Sequence, residues 1–387
     1  MSEISQRRRK LYNKSIIVQS IPSLIISLIG LMLVGQELEN AITDKLFTVY
    51  PILLLETCIL TFKGNIELIF SMNLSSMLQI LSSFSEYSQY AIENGCLVIF
   101  QSTVIGISIG LIGASGCILI YGISLLYSLR VIIGCVITCL MSTVFVLLIL
   151  VISLYLSHIF HVNSDNFILP LIAVFSDYLS TILLVYFLRV FYTQSLLICL
   201  LCIFFISLVL LLTGYISVKS KMRIPSQSWD ILVITYLFSS IGGFAIEYFS
   251  KYYPILAGSS YVFCGISGSS SYIYLNRRIT SLHSNSRLDK RATFISLLII
   301  SLVVSLFYIF IQFLFKSSYT IGFCMLYMIF FVIQTFILKE IIEMILKQFH
   351  SQIDMAGVYS IPLITSLSDF VGSLLLIATV KLLSIKL

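Results

Sequence analysis

Apolar stretches about as long as a bilayer-crossing helix follow one another along this chain, with only short polar joints between them. They lie near 16–35, 47–80, 96–127, 131–157, 167–190, 194–218, 230–250, 252–282, 292–315, 319–347 and 358–383. About 20 helical residues cross a hydrocarbon core. Inside that core every backbone N–H and C=O must be satisfied by the protein itself, which leaves helices and closed barrels. The runs are too long for barrel strands, so the expected fold is an all-α polytopic membrane protein with about 11 transmembrane helices. Charge agrees: 10% of the residues are charged, against roughly 25% in an ordinary soluble domain. The second and eighth stretches are long and interrupted by Gly or Ser clusters, and both are expected to be broken spans.

The basic residues mark a topology. Arg7, Arg8, Arg9 and Lys10 precede a first run too long for a signal-peptide core, so that run reads as a span with a cytosolic N-terminus. Lys14, then Lys219, Lys221 and Arg223, then Arg277, Arg278, Arg287, Lys290 and Arg291, and Lys347 fall in joints on that same side. The opposite joints hold single basic residues such as Lys45, Arg130, Lys251 and Lys316. That is the positive-inside pattern. The net charge of +6 is thereby accounted for and implies no nucleic-acid partner. The C-terminus is expected outside, and the plasma membrane is the expected location. Nine Cys, an odd number, all fall in apolar runs and read as small packing residues rather than a disulfide framework.

A phrase recurs inside two of the runs. Pro170-Leu171-Ile172 followed by Ser176-Asp177 reappears as Pro362-Leu363-Ile364 followed by Ser368-Asp369. The chain divides accordingly into a cytosolic segment 1–15, a first repeat 16–190, a linking helix with a basic loop 191–229, and a second repeat 230–387. Five spans invert a repeat, and the extra helix near 194–218 restores its direction. Two parallel five-helix repeats, related by an axis along the membrane normal, are therefore expected.

An aspartate at membrane depth is costly and signals function by default. Asp177 and Asp369 each stand seven residues past a Pro, about two turns and roughly 10 Å deeper. Were both to face the pseudo-twofold axis, two like charges would confront each other, and a hard dication between them removes the conflict. Mg²⁺ suits one or two carboxylates plus waters. The bland alternative is an Asp that caps a broken helix or pairs with a buried Lys. Pro51 precedes Lys63-Gly64-Asn65-Ile66-Glu67 in the second span, and Pro254 precedes Gly268-Ser269-Ser270 in the eighth. Gly admits close backbone approach and Asn offers an amide oxygen.

Other polar residues leave alternatives open. Lys63 and Glu67 either pair or line a pore mouth. Glu340 and Glu343 beside Lys339 read as a local ion pair near the interface. Asp44 precedes Pro51 by seven, as Glu247 precedes Pro254, which indicates an acidic outer vestibule or ordinary loop acids. His158, His161, His283 and His350 fall at expected cytosolic helix ends.

These motifs resemble the MgtE magnesium channel and transporter family. P-L-I-x-x-x-S-D in the last span of each half carries the likeness. Lys63-Gly64-Asn65-Ile66-Glu67, Ser75-Ser76 and Asn163-Ser164-Asp165-Asn166 are similar to its duplicated eukaryotic solute-carrier members. The resemblance implies Mg²⁺ permeation along the second and fifth helices of paired five-helix units, in a monomer that acts as a pseudo-dimer, without a cofactor. It places the ion's acidic ligands on Asp177 and Asp369, backbone carbonyl ligands near Ala173 and Thr365, and the pore-lining pair on Gly64 and Asn65. Ser269-Ser270 stand where the second half should carry Gly-Asn, and Gly357 stands where the first half has Asp165, with Asp354 out of register. No acidic regulatory domain is expected at either end. Channel-like permeation and Na⁺/Mg²⁺ exchange both remain open. A membrane-embedded lipid-active enzyme is a separate possibility, although the chain has no H-E-x-x-H and no Ser-Lys motif. So is a non-transporting membrane scaffold, which explains the spans but not the matched acids.

Overall fold

The computed structural model describes residues 14–44, 47, 50–78, 84–122, 124–159, 164–219, 228–283, 289–316, 319–348 and 353–384. Of these, 14–15, 19, 72, 75–78, 84, 119–121, 157–158, 164–170, 228–230, 232, 283 and 353–359 are described by backbone alone. Arg7–Lys10, Lys45, His161, Asn163, Lys221, Arg223, Arg287 and His350 lie outside the described residues. So do the side chains of Ser75, Ser76, His158, Asp165, Pro170, His283 and Asp354.

Eleven α-helices and no strand make up the described chain. They are α1 (Lys14–Thr43), α2 (Ile52–Leu78), α3 (Phe84–Tyr121), α4 (Leu125–Ile159), α5 (Ser164–Tyr192), α6 (Leu196–Lys219), α7 (Ser228–Ser250), α8 (Ile255–His283), α9 (Lys290–Phe315), α10 (Ile321–Gln348) and α11 (Ile353–Ser384). Nine of them are long and apolar enough to cross a membrane, which makes this a multi-pass membrane protein. The two that fall short are α2 and α8. α2 carries Glu56, Lys63 and Glu67, and α8 is rich in Ser and ends with Arg277 and Arg278. Both are shielded by other helices: nearly every described side chain of α2 from Ile52 to Ser71 is buried or half-buried, and α8 is buried from Leu256 to Cys264.

Neither α2 nor α8 is broken, contrary to expectation. Hydroxyls on both helices donate to carbonyls one turn back, as Thr57, Thr61, Ser259 and Ser267 do. Small polar residues are tolerated in a helix when they are satisfied in this way. Two other helices outrun their apolar cores. α1 continues through Glu39 to Thr43, and α3 begins at Phe84, where Tyr87, Tyr90 and Asn94 are buried. Hydropathy marks the lipid-facing length of a helix, not the part that other helices cover.

α1 and α7 each pack on a helix distant in sequence. α1 lies against α8 and α5, and α7 lies against α2 and α11. Glycines allow these crossings, since membrane helices gain by close backbone approach. A methyl group on Gly35 of α1 would come within 2.7 Å of the Gly258 carbonyl oxygen of α8. One on Gly243 of α7 would stand 3.1 Å from Thr57 Cβ of α2, and one on Gly242 would stand 3.2 Å from Phe370 Cα of α11. α6 packs on α3 and α4 and buries only a stripe of Cys199, Ile206, Thr213 and Ser217. The rest of its surface is Leu, Ile and Phe facing outward, as a lipid-facing connecting helix requires.

Candidate ion site

Helix periodicity sorts the polar residues of α2 into two stripes. Glu56, Lys63 and Glu67 share the stripe that faces α5. Thr57, Thr61 and Asn65 share the stripe that faces α8 and α11. Lys63 is 3% exposed and pairs with Glu67 at 2.7 Å, one turn along. Ser176 of α5 closes this pair into a triangle. Lys63 Nζ donates to its hydroxyl at 2.5 Å, and that hydroxyl donates to Glu67 Oε2 at 2.6 Å. Of the two readings of Lys63 and Glu67, the structure favours the internal pair. Two buried charges in hydrogen-bonding contact offset each other's desolvation, which neither would survive alone.

Asp369 of α11 reaches across to the first half. Its Oδ2 stands 2.6 Å from the Thr61 hydroxyl of α2, which shares its hydrogen between this carboxylate and the Thr57 carbonyl at 2.9 Å. Its main-chain carbonyl accepts from Ser373 and from Cys264 of α8. Asp177 of α5 directly follows Ser176, the hydroxyl of the Lys63–Glu67 triangle, so α2 is met by the Ser-Asp motif of α5 and by Asp369 of α11. Among the described residues no three His, Cys, Asp or Glu side chains converge closely enough to cage a metal ion.

Asn65 is 3% exposed, and its Oδ1 accepts from Thr365 of α11 at 3.1 Å. The same Thr365 hydroxyl also faces the Pro362 carbonyl at 2.9 Å. One hydroxyl hydrogen cannot serve both acceptors at full strength, and Asn65 Nδ2 has no partner. Turning the amide over lets Nδ2 donate to Thr365 and Thr365 donate to the Pro362 carbonyl, and leaves Oδ1, an acceptor, at the position without a protein partner. Such an amide orientation is assigned from its hydrogen bonds. Gly64 is half-buried, and a methyl group there would meet nothing within 4 Å, so it borders open space. Ala173 lies one turn before Asp177 on α5 and is exposed.

The two halves differ around their Ser-Asp pairs. Ser176 sits in the charged Lys63–Glu67 triangle. Ser368 sits in a neutral cluster, bonded to Ser267 at 3.0 Å, to the Cys264 carbonyl and to Gln334. In the second half it is Ser267 and Gly268 that face α11, and a methyl group on Gly268 would stand 3.3 Å from Ser368 Oγ. Ser270 instead lines a small niche with Tyr274 and Phe294.

Three residues at this site escape a motif search. Glu56 is fully buried and meets Thr181 of α5 at 2.5 Å, and Thr61 holds Asp369. The spacing of Glu56, Lys63 and Glu67 along one helical face is the signal that could have found the first. Glu247 was a candidate for an outer vestibule, yet it is 9% exposed and turns inward. Its Oε2 accepts from the Leu53 N–H at 2.9 Å, so an acid from α7 caps the first turn of α2. Asp44 does face outward and pairs with Arg189 at 3.0 Å. Lys339 and Glu340 form the local pair anticipated for them, whereas Glu343 turns to Arg278 and Lys290.

Comparison with known families matches residues 56–187, from α2 through most of α5, to the MgtE family, described as divalent cation transporters. No curated protein and no solved structure matches the chain. The matched segment contains Glu56, Lys63, Gly64, Asn65 and Asp177, and it stops before α7–α11.

Proposed function

We propose that this chain, whose MgtE segment marks it for divalent cation transport, carries Mg²⁺ between α2, α5 and α11, with Asp177 and Asp369 holding the ion. The observation that carries this reading is the hydrogen bond from Thr61 to Asp369. It joins the acidic motif of the second half to α2, the same helix that Ser176, the neighbour of Asp177, contacts through Lys63 and Glu67. Two buried carboxylates without a shared cation repel each other, and a hydrated dication reverses the sign of that interaction. Asn65 with its amide turned over, and the carbonyls near Ala173 and Thr365, add neutral oxygens. Hard cations take ligands of this kind.

The reciprocal packing of α1 on α8 and of α7 on α2 supports two parallel five-helix repeats, 16–190 and 230–387, with 191–229 as the link. One chain then contains the whole passage and acts as a monomer. The charge pattern supports a cytosolic N-terminus, and the plasma membrane is the membrane we assign. Membrane potential drives a dication inward with about 2.3 kcal/mol per charge per 100 mV, and Na⁺ exchange would add to that.

The test is Mg²⁺ flux into proteoliposomes, with and without a Na⁺ gradient. Asp177→Asn and Asp369→Asn keep side-chain size and remove the charge. Each should abolish most flux while the protein stays folded, and Asp44→Asn, at the exposed Arg189 pair, should remain near wild type. Wild-type flux in both deep variants would remove the paired-carboxylate site. Dependence of flux on the Na⁺ gradient would separate exchange from channel-like permeation.

A further inference from the structure

Glu56 lies outside the Asp177–Asp369 pair and outside every motif read from the sequence. Its side chain is fully buried. Oε1 meets the Thr181 hydroxyl at 2.5 Å, and Oε2 has no hydrogen-bond partner. The Thr181 hydroxyl is also shared with the Asp177 carbonyl at 2.9 Å, so its single hydrogen only partly serves Glu56. Lys63 is the basic residue of α2, two turns along the same stripe, but its ammonium is held by Glu67 and Ser176. A buried carboxylate with a bare oxygen calls for a positive partner, and the tethered one is already engaged.

We propose that Glu56 is a second cation-binding carboxylate, a station for the transported dication one helical turn beyond the Asp177–Asp369 level. The placement follows from the helices. Thr181 stands one turn past Asp177 on α5, roughly 6 Å along the axis. Glu56 stands on the opposing α2, five residues or roughly 7.5 Å before Thr61, which contacts Asp369. Among the described residues no three acids converge, so Glu56 and the aspartates form separate stations rather than one cage. Two adjacent sites of the same sign suit conduction, since an ion arriving at one weakens the hold on its neighbour. This proposal rests on the transport reading above.

The experiment titrates Mn²⁺ alone into the purified full-length protein in detergent, counts bound ions by electron paramagnetic resonance, and measures Mg²⁺ flux in proteoliposomes. Glu56→Gln preserves shape and the acceptor for Thr181. It should bind one ion fewer than wild type and transport roughly tenfold more slowly, with Asp177→Asn run in parallel. Glu56→Asp restores the charge with a shorter reach, and should regain the ion with weakened affinity. Should Glu56→Gln fail to fold, the Asp variant decides, and wild-type affinity in it overturns the proposal. The proposal is also overturned if Glu56→Gln binds and transports as wild type does. It fails equally if that variant keeps every ion and changes only the pH dependence of flux, which would make Glu56 a proton carrier. If Asp177→Asn loses an ion and Glu56→Gln does not, only this proposal falls. If wild type binds no Mn²⁺ and moves no Mg²⁺, the transport reading falls with it.

Discussion

Arg278 and Lys290 both reach Glu343, and their surroundings make them unequal. Arg278 is 7% exposed and meets both carboxylate oxygens, at 2.7 and 3.2 Å, while Tyr274 donates to the same acid at 2.8 Å. The Lys290 side chain is 54% exposed and contributes one contact at 3.0 Å. Removing one partner of a buried pair costs about 3–5 kcal/mol, because the other charge is stranded. Losing an exposed partner costs about 0–1 kcal/mol. Thermal denaturation in detergent should therefore show a large drop in Tm for Arg278→Ala and almost none for Lys290→Ala. Equal drops would mean that the Glu343 cluster is solvated. The same contrast separates the buried Lys63–Glu67–Ser176 triangle from the exposed Arg189–Asp44 pair at the other end of the bundle.

At the scale of elements, two helical glycines make opposite demands. A methyl group on Gly35 would press on backbone, the Gly258 carbonyl at 2.7 Å, so α1 and α8 must move apart to admit it. Overpacking of that kind costs about 1–3 kcal/mol, and Gly35→Ala should lower Tm measurably. Gly64 has open space where its side chain would be. Gly64→Ala should hold or slightly raise Tm, since Gly in a helix interior costs about 0.5–1 kcal/mol relative to Ala. If Gly64 borders the ion passage, that same variant should still lose flux. A fall in Tm for Gly64→Ala would show that it is a packing glycine instead. α2 and α8, which carry the polar residues, need this intimacy, because covering helices take the place of lipid around them.

Across the whole molecule the halves are interlocked, with α1 of the first against α8 of the second and α7 of the second against α2 of the first. Neither half can bury its polar second helix alone. Residues 1–219 expressed alone should not accumulate as a monodisperse species, nor should 220–387, and coexpression should recover a complex of full-length size on a sizing column. A stable, monodisperse half would contradict the interlock. Native mass spectrometry of the intact protein should report an active monomer, whereas activity confined to a dimer would place the passage between chains. The second half is not a copy of the first at the site. A charged triangle surrounds Ser176 and a neutral cluster surrounds Ser368.

The eleven helices and their membrane setting were legible in the sequence because the bilayer forces long apolar runs to be helical, whatever their neighbours. Asp177 and Asp369 stood out in the sequence as acids inside apolar runs, where a charge is costly. Hydropathy failed where helix covers helix. It foresaw breaks in α2 and α8, which run unbroken with their hydroxyls bonded to carbonyls one turn back, and it clipped α1 before Glu39 and α3 after Asn94. It could not show that Glu247 turns inward to cap α2. Above all, a polar group's partner is not a local property. Thr61 and Asp369 stand 308 residues apart in sequence and 2.6 Å apart in space, and the orphaned oxygen of Glu56 exists only because α2 is enclosed on all sides. Which acids the chain places in a membrane is written in its residue order. Which of them share a site, and which is left without a partner, is decided only when the two halves close on each other and water is excluded.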